Sequence, residues 1–118
     1  MEEQATPIDQ QRPDHTELIT EMVRRIVSVC DPERIILFGS HARGVAGPDS
    51  DVDFLVVKPL NGDRRHVRLA IRRALSGMGL SKDIVVVTPE EVERYGPFPG
   101  TIIRVALREG KVLYERAA

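Results

Sequence analysis

The sequence predicts an α/β domain with a small mixed sheet flanked by helices. Three observations carry that expectation. Short runs rich in β-branched residues recur along the chain as ERIILFG, DVDFLVV, KDIVVVT and KVLYE. Segments with a helical apolar period separate them. Pro, Gly and Asn-Gly turn signals bound most of the runs. The resulting order, α-β-α-β-α-β-α-α-β, suits a sheet covered by helices.

Taken in order, residues 1 to 12 are polar and are expected to form a disordered leader, with the folded domain over 13 to 118. The first helix has Asp14 as its expected N-cap, with Glu17 three residues on as in a capping box. Leu18, Ile19, Met22, Val23, Ile26, Val27 and Cys30 then share one face. Asp31-Pro32 ends it. ERIILFG reads as a buried strand, SHARGVAG as a loop with a turn or two of helix, and DVDFLVV as a second strand stopped by Pro59 and Asn61-Gly62. Residues 63 to 77 form a helix with Val67, Ala70, Ile71, Ala74 and Leu75 inward. KDIVVVT is a third strand. Pro89 suits the first turn of the helix EEVERYG, and GPFPG is a break. TIIRVALREG is a last helix with Gly110 as its C′ residue, followed by the strand KVLYE.

Bulk properties narrow the function classes. A chain of 118 residues supports one core. A net charge of -1 gives no global positive field for nucleic acid, and 4% aromatics with no Trp leave little for base stacking. These features argue against direct nucleic-acid binding. No apolar run approaches the roughly 20 residues of a membrane span. The acidic, polar start MEEQATPIDQQRPD is unlike a signal peptide. The lone Cys30 cannot form an intrachain disulfide and fits a buried thiol. The expected location is cytoplasmic.

The segment GSHARGVAGPDSDVDF raises the chemical question. It sets three aspartates, Asp49, Asp51 and Asp53, within five residues. On a strand, Asp51 and Asp53 would face the same side, about 6 to 7 Å apart. Two carboxylates so placed suit hard cations, and Mg²⁺ takes one or two carboxylates while leaving positions for substrate phosphates. Asp83, near the start of KDIVVVT, would complete a cluster of three if the two strands pair. Upstream, Gly39 allows close backbone approach to a phosphate, N–H groups at a helix start attract anions, and the Ser40 hydroxyl can donate. Each feature alone also has a structural reading: a turn for Gly-Ser, a solvated cap for Asp-x-Asp, an edge residue for a lone Asp. Their order along the chain makes the combination informative.

GSHARG followed by SDVDFLVV resembles the signature of the minimal nucleotidyltransferases of the DNA polymerase beta superfamily: Gly-Ser, ten residues, Asp-x-Asp. Ala42, Arg43 and Gly44, and Ser50 before Asp51, also fit. The resemblance implies the polymerase-beta-like nucleotidyltransferase fold, ATP as substrate and two Mg²⁺ ions. It implies Asp51, Asp53 and Asp83 as catalytic and metal-binding residues, with Asp83 also the general base. It implies Gly39 and Ser40 as phosphate contacts, with Arg43 and Ser50 counted in the nucleotide site. In such families the partner is commonly a HEPN toxin, so the implied role is an antitoxin that moves AMP onto a Tyr hydroxyl of its partner in a hetero-oligomer. Two rivals stand beside it. One is a non-catalytic antitoxin that blocks its partner sterically. The other is an aminoglycoside-type, small-molecule nucleotidyltransferase.

Other residues keep open readings. His15, His41 and His66 lack ligand spacing, and His41 lies inside the cradle. Arg43 could reach phosphate or pair with one of the aspartates. Arg64, Arg65, Arg68 and Arg72 form one helix face, either solvated or a docking surface for an acidic partner.

Overall fold

The computed structural model describes residues 15–117. The expected leader and Asp14 lie outside them. Helix α1 spans Thr16–Cys30, and its N-cap position is His15, which makes no side-chain capping bond. Ile19, Met22, Val23 and Ile26 are its buried positions, at the spacing the apolar period predicts. Asp31 closes it in a left-handed conformation (φ 49°), one that Asp tolerates better than most residues.

Strands β1 (Arg34–Phe38), β2 (Val52–Val57), β3 (Lys82–Val87) and β4 (Lys111–Glu115) form one sheet in the order β3-β2-β1-β4. β1 pairs antiparallel with β2 and β4, while β2 and β3 are parallel, so the sheet is mixed. The parallel pair is joined through helix α3, Arg64–Ala74. α3 stops three residues short of the expected end, where Gly77 takes φ 82°. The one-turn helix α2 (Ser40–Arg43) lies between β1 and β2.

Alternation along the strands divides the core in two. Ile35, Leu37, Phe54, Val56, Ile84 and Val86 pack with α1 and α3 on one face, and Cys30 sits partly buried against that layer. Ile36, Phe38, Leu55, Val57 and Val87 pack on the other face with Ile103 and Ala106 of α5, Ile102–Glu109. Helix α4 (Pro89–Tyr95) carries a full capping box: the Glu91 N–H donates to Thr88 Oγ1 at 3.1 Å and the Thr88 N–H to Glu91 Oε1 at 2.9 Å. The sequence signal Thr-x-x-Glu was present for it.

One expectation needs correction. Gly110 is not a left-handed C′ residue; it caps α5 with extended backbone, φ -86° and ψ 174°. Glycine is required for closeness instead, since a Cβ there would meet Ile36 Cγ2 at 2.6 Å and the Leu37 carbonyl oxygen at 2.7 Å. On the arginine face of α3, open to two readings, Arg64 has a partner. Arg64 donates to both Glu91 oxygens, at 3.1 and 2.8 Å, and to the Val86 carbonyl at 3.3 Å, tying α3 to α4 and to edge strand β3.

Candidate active site

The site gathers where β1 ends and β2 and β3 begin. Asp53 is the second residue of β2. Its register partners are Phe38 on β1 and Asp83 on β3. Directly opposed residues share a sheet face, so Asp53 and Asp83 both project on the α5 side. The face is settled by the neighbours: Val52, Phe54 and Val56 fill the core under α1 and α3, which leaves the odd-numbered positions on the opposite face. Parallel pairing of two distant strands therefore brings the two acids side by side.

Gly39 closes the other side. Its backbone (φ 78°, ψ -157°) lies in a region open essentially to glycine alone. A Cβ there would overlap Asp53 Oδ2 and come within 3.2 Å of Asp53 Cγ. The chain can turn against the carboxylate only because residue 39 has no side chain. Ser40 then opens α2, and among the described residues its hydroxyl has no protein partner. With four residues, α2 offers local N–H groups and no appreciable macrodipole.

Electrostatics at Asp53 reflect this crowding. Burial holds its carboxyl above the ordinary value of 3.8; the negative charges of Asp83 and Asp51 push it further up, and His41 opposes them. Asp83 and Asp51 are both exposed, and Asp53 is partly buried.

The remaining expected residues are placed differently. Asp51 precedes β2 by one residue, so the sheet does not pin it as strand geometry would. Ser50 serves its own turn: its hydroxyl accepts from the Gly47 N–H at 2.9 Å, and its N–H donates to the Gly47 carbonyl at 3.2 Å. Arg43 pairs with none of the aspartates; its guanidinium lies 3.8 Å from Glu109 at the end of α5, with both side chains about half exposed. Asp49 is exposed on the loop.

Among the described residues, no three His, Cys, Asp or Glu side chains converge into a ready metal-ligand group. The charges of Asp51 and Asp83 nevertheless both act on Asp53, so the three expected carboxylates lie in one neighbourhood. The chemistry of the donors still suits a hard cation. The acids are all oxygen donors, the crowding raises the Asp53 carboxyl, and Mg²⁺ ordinarily completes its shell with substrate phosphates and water.

The sequence profile of the nucleotidyltransferase domain family matches residues 17–116. No curated protein matches the chain. Three solved structures are similar. A Sulfolobus solfataricus protein assigned provisionally as a nucleotidyltransferase has 24% identity and a TM-score of 0.59, covering 85% of this chain and 79% of its own. A toxin-antitoxin crystallised with AMP-PNP has 19% identity and a TM-score of 0.58, covering 82% and 73%. The toxin-antitoxin MntA-HpeT, carrying two aspartate-to-glutamate substitutions, has 18% identity and a TM-score of 0.54, covering 85% and 73%. At these identities the likeness is one of fold.

Proposed function

The chain belongs to the nucleotidyltransferase domain family, and from that premise we propose that it moves AMP from ATP to a hydroxyl, most directly a Tyr of a HEPN-type toxin partner, and so acts as an antitoxin. The observation that carries this reading is the Asp53–Asp83 pair on one sheet face beside the Gly39 turn. Two structures sharing the fold are toxin-antitoxins, one with AMP-PNP, which supports ATP as donor and a toxin as partner. Among the described residues no helix is long and apolar enough to cross a membrane.

In this reading the Gly39-Ser40 turn holds the triphosphate, the backbone approaching closely and the Ser40 hydroxyl donating to a phosphate oxygen. Asp51, Asp53 and Asp83 would hold Mg²⁺. When bound, Mg²⁺ supplies charge neutralisation for the phosphates and the displaced oxygen. Asp83, exposed at the rim, takes the proton of the acceptor hydroxyl. The acceptor oxygen then bonds the α-phosphorus, the bond to the β-phosphate oxygen breaks, and pyrophosphate leaves. Asp53, partly buried against the Gly39 turn, serves the donor side. Arg43, about half exposed beside Glu109, and Ser50 complete the nucleotide site in this reading.

A second reading, a non-catalytic antitoxin that blocks its partner sterically, draws on Arg43 lying beside Glu109 and Ser50 serving its own turn. The two separate on label position. The protein is mixed with Mg²⁺, the HEPN protein and ATP labelled at the α- or γ-phosphate. Transfer of α-label and not γ-label to the partner is expected. Asp83→Asn should lower transfer at least about 10²-fold, the scale of general-base catalysis, with ATP affinity largely kept. Wild-type transfer by this variant would remove Asp83 from the chemistry, and no transfer by the wild type would favour steric blocking.

A further inference from the structure

His41 makes a contact that the nucleotide-site reading leaves unused. Its Nε2 lies 3.2 Å from the Ser50 carbonyl oxygen, nine residues ahead, and the contact is partly buried. A carbonyl can only accept, so Nε2 carries the proton and donates. His41 is the second residue of α2, directly after Ser40, and Ser50 directly precedes Asp51. The bond therefore spans from the glycine-serine turn to the carboxylate segment.

The loop between needs such a tie. Gly44, Val45, Gly47, Pro48 and Asp49 are exposed. The Gly47–Ser50 turn is closed on itself by two bonds. Among the described residues, the His41 contact is the hydrogen bond that links this turn to the rest of the protein. On the far side of Asp51, the Val52 N–H donates to the Ser81 carbonyl at 2.9 Å. Asp51, which the sheet does not pin, is thus bracketed by one bond on each side.

We propose that His41 is a positioning residue, whose Nε2–H grips the Ser50 carbonyl and so sets Asp51 in place beside Asp53 and the Gly39-Ser40 turn. It touches neither substrate nor reacting atoms in this role. Loss of the grip leaves Asp51 held from β2 alone and lets the exposed loop swing. Small displacements of a reacting constellation are costly: about 1 Å can lower rate about 10²-fold. Donor contacts to phosphate at Gly39 and Ser40 do not depend on it. The inference rests on the reading of Asp51 as a catalytic carboxylate, but the grip itself does not.

Side-chain geometry supplies a discriminating test. The amide nitrogen of Gln can stand where histidine Nε2 stands, whereas that of Asn falls near Nδ1 and cannot reach. His41→Gln should keep kcat for AMP transfer within about 3-fold of wild type, while His41→Asn and His41→Ala should lose roughly 10- to 100-fold with KM for ATP nearly unchanged. Without nucleotide or metal, amide exchange over residues 47 to 52 should speed up in His41→Asn and His41→Ala and stay slow in His41→Gln. Nitrogen-15 spectra of the wild type should show a proton on His41 Nε2. Equal behaviour of Asn and Gln, unchanged exchange in His41→Ala, or an Nε2 without a proton would each overturn the proposal. A wild type that transfers nothing would count against the transferase reading alone, because the exchange and nitrogen-15 measurements judge the grip without activity.

Discussion

Asp53→Asn should make the metal-free protein more stable at neutral pH. Asp53 and Asp83 are register partners on adjacent strands, which puts their side chains about 5 Å apart, the spacing of neighbouring strands. At ~5 Å two unit charges repel by about 3 kcal/mol at an effective dielectric of 20 and about 0.8 kcal/mol at 80. Asp83 is exposed and Asp53 only partly buried, so screening brings the repulsion to roughly 1 kcal/mol. The raised Asp53 carboxyl gives the same direction. The folded protein keeps that proton longer than the unfolded chain, so stability falls as pH climbs from the ordinary value of 3.8 through the raised one. Asn is nearly isosteric and removes the fall. A gain of about 1 kcal/mol corresponds to about 4 °C in Tm for a domain of this size. Thermal melts in chelator across acid to neutral pH should show the variant melting higher at pH 7, with the two curves converging once wild-type Asp53 is protonated. A variant melting at or below the wild type at pH 7 would mean that protein groups already satisfy the carboxylate, and the case for a cation there would fail.

Gly39→Ala should destabilise the fold by about 1–3 kcal/mol, since it forces a side chain into a glycine-only conformation and against Asp53; urea melts read the loss, and AMP transfer should vanish with it. Mg²⁺ with ATP should raise the wild-type melting temperature, by about 2.7 kcal/mol of stability at 100 times Kd. The Asp51→Asn and Asp53→Asn variants should respond much less, and an equal response would move the binding site elsewhere. Arg64→Ala breaks the ion pair with Glu91 but should cost no more than about 1 kcal/mol, because Arg64 is exposed and Glu91 only partly buried. Its transfer rate should match wild type, and a large drop would show that the α3–α4 tie supports the site.

Much of this molecule is local and therefore legible in the chain. Element types and order follow from apolar periods and turn residues, which act over a few neighbours: the α1 stripe at Ile19, Met22, Val23 and Ile26 is one case, and the stop at Asp31-Pro32 another. The Gly-Ser to Asp-x-Asp spacing is equally local. The boundaries that shifted did so for local reasons too, as at the end of α3 before Gly77. Residues 39, 53 and 83 become neighbours only through pairing, and no period within β2 or β3 encodes which strand lies beside which. The strand order β3-β2-β1-β4 decided that Asp83 faces Asp53. Tertiary contact alone turned Gly39 from a turn residue into one that must lack a side chain against Asp53, and Gly110 into a point of close packing against β1. It sent Arg43 to Glu109 and Arg64 to Glu91, choices among many acids that composition cannot rank. Sequence by itself determined which acids were available and in what local frame. Long-range pairing, driven by burial of the two apolar layers of the sheet, decided which of them meet.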